Sequence, residues 1–325
     1  MSRIFSGIQP SGDLHVGNYL GAVKNWVALQ HQFDSFFCVV NYHAITAPYE
    51  PADLRRRTHE MALGLLAAGI DPTVATLYVQ SQVPEHTELA WILNTITPLG
   101  ELERQTQFKD KASRQEQVMA GLLNYPVLQA ADILLYRADV VPVGEDQVQH
   151  LELSRVIARN WNAKFAPGFF PEPQPLLTPT RRIMGLDGQA KMSKSLGNTI
   201  GLLESSDEIW AKLRPAMTDP ARQRKTDPGN PEICNIFSLH KAFSSPETVQ
   251  HVDTQCRTAG WGCIDCKQVL HTAMVAELTP IRIRAEELKA HPAAVTQALD
   301  RGAERAGTMA RATMGPVKDH MGLSQ

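Results

Sequence analysis

Apolar runs and helical patterns alternate along the first half of the chain. The run Phe36-Phe37-Cys38-Val39-Val40 is continuously apolar, as is typical of a strand buried on both faces of a sheet. Helical patterns separate such runs, for example from Asp53 through Leu63 and Leu66 to Gly69. Strands separated by helices predict a parallel, doubly wound α/β sheet, in which ligands bind beyond the carboxyl ends of the strands. The predicted strands are residues 3–6, 36–40, 76–79 and 140–143.

The second half of the chain has a different pattern. Five prolines within residues 167–179 predict a loop, because proline interrupts both helical and ladder hydrogen bonding. Strand-like runs fade beyond about residue 202, and helical patterns occupy residues 204–213, 269–278, 280–288 and 293–309. We therefore predict an α/β domain over residues 1–200 and a smaller, mostly α-helical domain over residues 201–325.

Composition limits the class of protein further. The 325 residues are 43% hydrophobic and 20% charged, which excludes a disordered chain. A net charge of −2 excludes a globally basic nucleic-acid binder but allows local basic patches. The apolar stretch 61–70 is too short to cross a bilayer, and the first residues lack a signal-peptide pattern. We expect a cytoplasmic protein with no membrane contact. A basic patch is expected from Lys212, Arg214, Arg222, Arg224 and Lys225.

Four of the five cysteines lie close together in the sequence. Cys234, Cys256, Cys263 and Cys266 have the spacing C-x21-C-x6-C-x2-C, which suits a tetrahedral thiolate set. The spacing alone does not separate zinc from an iron–sulfur cluster, and four unrelated cysteines in a helical domain are the plain alternative. Cys38 lies in a predicted buried strand, where we expect an inert thiol.

A glycine-containing turn follows the first predicted strand and opens a helix. Gly12 allows a tight turn, and Gly17 allows a ligand to approach the backbone closely. Free N–H groups at a helix start attract phosphate oxygens. His15 and Asn18 are three residues apart and can face the same side of the first turn. The alternative is an ordinary strand-to-helix turn with an incidental histidine.

A second phosphate-binding candidate is the segment Lys191-Met192-Ser193-Lys194-Ser195, which follows Gly185-Leu186-Asp187-Gly188-Gln189. Two lysines and two serines on one loop can wrap a polyphosphate, since each lysine brings a compact charge with three donors. The alternative is a solvated basic loop.

Together the two segments resemble the signature elements of class I aminoacyl-tRNA synthetases. His15-Val16-Gly17-Asn18 resembles the HIGH element, and residues 191–195 match the KMSKS element. Other blocks narrow the resemblance to the bacterial tryptophanyl-tRNA synthetases, over nearly the whole chain. These blocks are residues 5–12, 100–104, 130–136 and 141–147. The resemblance implies a Rossmann-like catalytic domain, with a helical domain that contacts the tRNA anticodon.

The family's reaction activates L-tryptophan with ATP and Mg²⁺ to tryptophanyl-adenylate and pyrophosphate, and then transfers tryptophan to tRNA(Trp). By resemblance, the catalytic residues are His15, Lys191, Lys194 and Ser195. Lys109 and Lys111 match a further phosphate-contacting stretch, with a solvated charged face as the alternative. The residues implied to line the ATP site are Gln9, Pro10, Ser11, Gly17, Asn18, Gly144, Glu145, Asp146, Ile183, Lys191, Met192, Ser193, Lys194 and Ser195.

Tryptophan selection requires an acceptor for the indole N–H. Asp132 is a carboxylate among apolar residues, and the resemblance makes it that acceptor; a helix cap or an arginine partner is the alternative. The implied walls of the pocket are Phe5, Val141 and Val143, and Gly7 is a further implied tryptophan-binding residue. Tyr125 and Gln147 are implied to meet the substrate ammonium and carboxylate, together with Gln129, where many relatives carry methionine.

A subset of these synthetases carries a 4Fe–4S cluster on four cysteines, with one more residue in the longest gap. The resemblance therefore implies such a cluster here, with Zn²⁺ as the alternative, and a mechanical role near the bound tRNA. It also implies a homodimer with tRNA crossing between subunits. The competing functions are a small-molecule nucleotidyltransferase, a tyrosyl enzyme, and a non-catalytic or specialised paralogue that binds tRNA or tryptophan.

Overall fold

One parallel sheet of five strands forms the centre of the protein. The computed structural model describes residues 1–112, 117–144, 147–177, 183–190, 192–193 and 196–324. The strand order is β3-β2-β1-β4-β5, so the chain leaves β1 on one side and returns on the other. The carboxyl ends of β1 and β4 therefore flank a topological switch point, where ligands bind in such sheets. The strands are β1 Arg3–Ile8, β2 Asp34–Val39, β3 Thr76–Val79, β4 Val140–Val143 and β5 Gln174–Leu177.

The four predicted strands are confirmed, but the prediction of a loop over residues 167–179 is wrong in part. β5 lies inside that segment, with Pro175 opposite Val141 of β4. The strand forms because β5 is at the edge of the sheet and pairs only with β4. At the edge, the side of the proline that lacks an N–H can face away from the sheet, so no hydrogen bond between strands is lost.

Helices cover the sheet in the first half of the chain. A π-helical turn, Tyr19–Val23, interrupts the helix that begins after the glycine-containing turn. The helix Pro51–Ala67 buries every residue from Met61 to Ala67, because the sheet covers one side and later helices cover the other. These helices are α1 Val16–Asn18, α2 Lys24–Leu29, α3 Asn41–Ala44, α4 Pro51–Ala67, α5 Glu85–Asn94, α6 Leu99–Glu103, α7 Thr106–Ala112, α8 Ala120–Leu135 and α9 Val148–Lys164.

The second half is helical, as predicted, although two helices were predicted where one exists. α13 continues through Pro280. The buried residues Leu278, Ile281 and Ala285 lie on one face across the proline, so packing outweighs the lost hydrogen bond. The helices are α10 Ser206–Leu213, α11 Asn235–Phe243, α12 Pro246–Arg257, α13 Cys263–Ala290 and α14 Pro292–Met321. None of the helices that the structure describes combines the length and apolarity needed to cross a membrane.

The final helix packs back onto the sheet. A side-chain carbon at Gly302 would lie 1.8 Å from the carbonyl oxygen of Leu77, so glycine allows α14 to lie directly on β3. Ala306, Ala310 and Met314 continue this buried stripe. The core thus includes residues from both sides of position 200, and the domain boundary there stays a prediction.

Candidate active site

The glycine-containing turn lies at the switch point and is closed by a reciprocal cap. The backbone N–H of Asn18 donates to His15 Nδ1 at 3.3 Å, and the backbone N–H of His15 donates to Asn18 Oδ1 at 3.3 Å. Because Nδ1 accepts a hydrogen bond, the proton of the neutral imidazole belongs on Nε2. His15 can therefore act as an Nε2 donor at the start of the helix.

The structure brings this turn against the lysine-containing loop. A side-chain carbon at Gly17 would lie 3.2 Å from Cβ of Met192 and 3.0 Å from the His15 ring. Val16 N–H donates to the carbonyl of Ile200 at 2.9 Å, and Leu202 N–H donates to the carbonyl of Leu14 at 2.9 Å. The two motifs, which are distant in sequence, thus form one site.

Asn198 holds the ends of the lysine-containing loop together, which the sequence did not indicate. Its Oδ1 accepts from Ser193 N–H at 2.8 Å, and its Nδ2 donates to Asp187 Oδ2 at 2.9 Å. The Asn198 hydrogen bond lowers the pKa of the Asp187 carboxyl. Met192 is buried, and its N–H donates to the carbonyl of Ile183 at 3.2 Å, so the predicted adenine contact lies next to the loop.

Other predicted nucleotide residues surround the same end of the sheet. Gln9 and Ser11 are exposed and Pro10 is buried just after β1, while Gly144 is exposed at the end of β4. Five predicted site residues lie outside the described residues: Glu145, Asp146, Lys191, Lys194 and Ser195.

Asp132 is buried on α8 and is held by three donors from other elements. His43 Nε2 lies 2.8 Å from Oδ2, while Gln80 Nε2 and His86 Nδ1 lie 2.7 and 2.6 Å from Oδ1. His43 and Gln80 follow the carboxyl ends of β2 and β3, so Asp132 faces the binding edge of the sheet. The alternatives from the sequence were that Asp132 caps a helix or pairs with an arginine. Its partners in the structure are instead two histidines and a glutamine.

These donors keep the carboxylate ionised. Burial by itself raises the pKa of Asp132, but His86 and His43 outweigh burial and lower it to about 2. An ionised carboxylate offers about four acceptor positions and no donor. Two are used on Oδ1 and one on Oδ2, so Oδ2 retains one acceptor position.

The other predicted tryptophan contacts lie near this carboxylate. Tyr125, Gln129 and Asp132 are spaced by four and three residues on α8 and share one helical face. Phe5 and the pair Val141 and Val143 are buried in the core cluster that includes α8. At Gly7, a side-chain carbon would lie 2.7 Å from Cγ1 of Val40, so only glycine fits beside β2.

His150 connects Tyr125 with Gln147 and was missed by the sequence reasoning. Its Nε2 lies 3.1 Å from the Tyr125 hydroxyl, and its Nδ1 lies 3.0 Å from Gln147 Oε1. The Tyr125 hydroxyl also donates to Gln107 Oε1 at 3.2 Å. Burial raises the pKa of Tyr125 to about 12, so the phenol stays neutral. The spacing of three between Gln147 and His150, at the start of α9, was the available signal.

The four clustered cysteines converge in the folded chain. Cys234 precedes α11, Cys256 lies on α12, and Cys263 and Cys266 lie in the first turn of α13. Burial, followed by the other three cysteines, raises the pKa of Cys266 to about 12. Nevertheless, no three Cys, His, Asp or Glu side chains of the described residues are arranged to hold a metal ion.

The fifth cysteine is separate from this group. Cys38 is completely buried in β2, and burial raises its pKa well above the ordinary value. These observations agree with the inert thiol that was predicted.

Comparisons with known proteins agree with the site. The family model described as tRNA synthetases class I (W and Y) matches residues 1–279. A tryptophan–tRNA ligase of Deinococcus radiodurans is 53% identical over 328 residues, covering 99% of each chain. One from Thermosynechococcus vestitus is 48% identical over 331 residues, again covering 99% of each chain.

A solved structure has the same fold throughout. The crystal structure of tryptophanyl-tRNA synthetase from Campylobacter jejuni, complexed with ADP and tryptophan, matches with a TM-score of 0.89 and 36% identity. The match covers 99% of this chain and 100% of that one. The protein therefore belongs to the class I tRNA synthetases, in the group of the tryptophan and tyrosine enzymes.

Proposed function

We propose that this protein is a tryptophan–tRNA ligase. It activates L-tryptophan with ATP to give tryptophanyl-adenylate and pyrophosphate, and then transfers tryptophan to tRNA(Trp). The observation that carries the proposal is the buried, ionised Asp132, with one acceptor position left on Oδ2, near the binding edge of the sheet. The names of the relatives support the same activity.

Activation joins the tryptophan carboxylate to the α-phosphate, and catalysis is mostly positioning and charge stabilisation. The His15 Nε2 proton stabilises negative charge on the phosphates, whereas the backbone N–H groups of His15, Val16 and Asn18 are engaged within the protein. Lys191, Lys194 and Ser195 are proposed to follow the pyrophosphate as it leaves. Mg²⁺ that arrives with ATP supplies further neutralisation of phosphate charge.

The nucleotide itself is proposed to lie along the carboxyl ends of β1 and β4. The carboxylates of Glu145 and Asp146 accept hydrogen bonds from the ribose hydroxyls, and Ile183 contacts the adenine. The remaining proposed contacts are Gln9, Pro10, Ser11, Gly17, Asn18, Gly144, Met192 and Ser193.

Tryptophan is proposed to bind with its indole N–H donating to Asp132 Oδ2. Phe5 and the two valines of β4 supply apolar walls, with Gly7 at the end of β1. Tyr125 and Gln147, linked through His150, meet the ammonium and carboxylate groups. The amide of Gln129, partly exposed on the same face of α8, offers a further contact to the ammonium.

The helical second half is proposed to contact tRNA. Three of the five predicted basic residues are engaged within the protein: Lys212 pairs with Glu204, Lys225 Nζ lies 3.7 Å from Asp265 Oδ2, and Arg222 donates to the carbonyl of Trp261 at 2.6 Å. Arg214, Arg224 and Lys225 remain exposed and form the proposed patch for the phosphate backbone. The cytoplasmic location stays a prediction.

A homodimer is proposed through exposed apolar side chains of α5, α6 and the residue before α8. Trp91, Leu99 and Met119 are 73%, 58% and 60% exposed, and α5 and α6 both pack against α8. Large exposed apolar side chains that lie together mark interaction sites. We expect Trp91→Glu to convert a dimer to a monomer in sedimentation analysis. A dimer that persists in this variant contradicts the placement of the interface.

The four cysteines are proposed to hold a 4Fe–4S cluster, with Zn²⁺ as the alternative. Support comes from the convergence of the four side chains: after burial, neighbouring cysteines of the set raise the thiol pKa values of Cys234, Cys256 and Cys266. A bound cation favours the thiolate form, and the side chains must draw closer to ligate it. Such a group supplies a rigid link between α11, α12 and α13. Anaerobic purification with metal analysis decides: iron and sulfide support the cluster, whereas stoichiometric zinc without iron refutes it.

ATP–pyrophosphate exchange tests the activity. We expect exchange that depends on tryptophan and not on tyrosine, followed by aminoacylation of tRNA(Trp). Exchange with tyrosine alone would assign the tyrosyl activity. Exchange with another small molecule would identify a different nucleotidyltransferase, and no exchange would favour the non-catalytic or specialised paralogue.

A further inference from the structure

His86 lies behind Asp132 in the protein interior. It is fully buried on α5, and its Nδ1 makes the shortest of the three contacts to the carboxylate, at 2.6 Å from Oδ1. Its Nε2 lies 2.9 Å from the hydroxyl of Tyr136 and 3.1 Å from that of Tyr78. The proposed reaction assigns no role to this histidine or to the two tyrosines.

The proton positions of this chain follow from the chemistry of its members. The Asp132 carboxylate can only accept, so His86 Nδ1 carries a proton and donates it. Burial raises the pKa of both Tyr78 and Tyr136, so both phenols stay protonated. When a phenol O–H donates to Nε2, the proton of a neutral imidazole stays on Nδ1. A hydrogen-bond partner on one ring nitrogen fixes the tautomer of a metal-ligating histidine in the same way.

We propose that His86 is a positioning residue for tryptophan: it pins Oδ1 of Asp132, so that one acceptor position of Oδ2 stays directed to the indole N–H. This inference rests on the proposed function. Gln80 and His86 both bind Oδ1, whereas His43 alone shares Oδ2 with the substrate. With Oδ1 held twice, the carboxylate cannot rotate about its Cβ–Cγ bond without breaking two hydrogen bonds.

His86 acts on the substrate only through Asp132 and does not touch the substrate itself. His86 has no exposed surface and contacts the carboxylate oxygen that the indole does not use. Its loss leaves ATP binding intact and acts on tryptophan through the direction and ionisation of Asp132. A buried carboxylate rejects an analogue that lacks the N–H, because the carboxylate is then left without a partner. Strong rejection requires that the carboxylate be held in the orientation that meets the N–H.

The test compares His86→Leu with His86→Asn. An asparagine Nδ2 lies where His86 Nδ1 lies and can donate to Oδ1, whereas leucine cannot. We expect His86→Leu to raise KM for tryptophan by about ten- to a hundred-fold in ATP–pyrophosphate exchange, with KM for ATP unchanged. His86→Asn should restore most of the loss.

A tryptophan analogue with sulfur in place of the indole N–H provides a second readout. The preference for tryptophan over this analogue should fall toward one in His86→Leu and stay high in His86→Asn. Leu89→Ala, at another buried position of α5, is the control for reduced stability alone, and its preference should stay high. A folded His86→Leu protein with unchanged KM and unchanged preference overturns the proposal, as does an equal loss in Leu89→Ala.

If His86→Leu does not fold, His86→Gln decides. The amide nitrogen of glutamine can lie where His86 Nε2 lies and face the two tyrosine hydroxyls, but no donor remains at the place of Nδ1. A raised KM for tryptophan with unchanged KM for ATP supports the positioning role, and an unchanged KM for tryptophan overturns it. Absence of tryptophan-dependent exchange in the unaltered protein is a different result, since it defeats the proposed function instead.

Discussion

Replacement of Asp132 by asparagine separates the indole contact from the packing around it. Asparagine has nearly the same shape, and its remaining oxygen can stay on the side of Gln80 and His86. Its amide NH₂ then takes the place of Oδ2. His43 can adapt by accepting at Nε2, because its other ring nitrogen can carry the proton. The indole N–H cannot adapt, so it meets a donor instead of an acceptor.

The expected loss follows from the charge and burial of this acceptor. A hydrogen bond to a charged group contributes about 1.5–3 kcal/mol, and a buried donor left unpaired costs a further ~1–3 kcal/mol. A combined loss of about 3 kcal/mol or more corresponds to at least about a hundred-fold in kcat/KM for tryptophan. ATP contacts lie on other elements, so KM for ATP should not change.

Tryptophan-dependent ATP–pyrophosphate exchange measures both constants, with Asp53→Asn, at a partly exposed position in the first turn of α4, as the matched control. Asp132→Ala should also lose most tryptophan activation while ATP binding survives, with an added packing defect. A folded Asp132→Asn protein whose kcat/KM for tryptophan equals that of the control would refute the assignment of Asp132 as the indole acceptor.

Three further predictions concern stability and the lysine-containing loop. The pKa of Asp132 is about 2 in the folded chain and ordinarily 3.8, so its ionisation stabilises the fold above about pH 4, and about 2 kcal/mol is lost as pH falls toward 2. Urea unfolding should show this slope in the unaltered protein and not in Asp132→Asn; equal slopes would contradict the pKa. Asn235→Ala removes a 2.6 Å hydrogen bond to the carbonyl of Gly185, which begins the segment before the lysine-containing loop. KM for ATP should therefore rise while KM for tryptophan stays the same. A rise in KM for tryptophan alone would contradict a role of this hydrogen bond in ATP binding. Gly302→Ala should lower the free energy of unfolding by about 1–3 kcal/mol or more, because the new carbon meets the β3 backbone. Gly315→Ala, on the same helix but where the new carbon meets no neighbouring atom, should not lower the free energy of unfolding. A similar loss in both variants would contradict the packing of Gly302 against β3.

Local sequence patterns predicted most of the secondary structure. Short strand-like runs predicted β1 to β4, and helical periodicity predicted α10, α13 and α14, whereas α11 and α12 were not among the predicted helices. The two errors at prolines came where tertiary context outweighed a local rule. Pro175 is accepted in β5 because that strand lies at the edge of the sheet, and Pro280 is accepted in α13 because buried residues on both sides keep the helix continuous.

The sequence by itself determined the family, because the motifs around His15 and Met192 have few alternatives once they occur together. It also singled out Asp132 as an unusual carboxylate. Only the tertiary structure decided how that carboxylate is held, since His43, Gln80 and His86 reach it from three different elements. Periodicity and spacing describe neighbours along the chain, whereas the direction and ionisation of a buried acceptor depend on groups that the fold brings together.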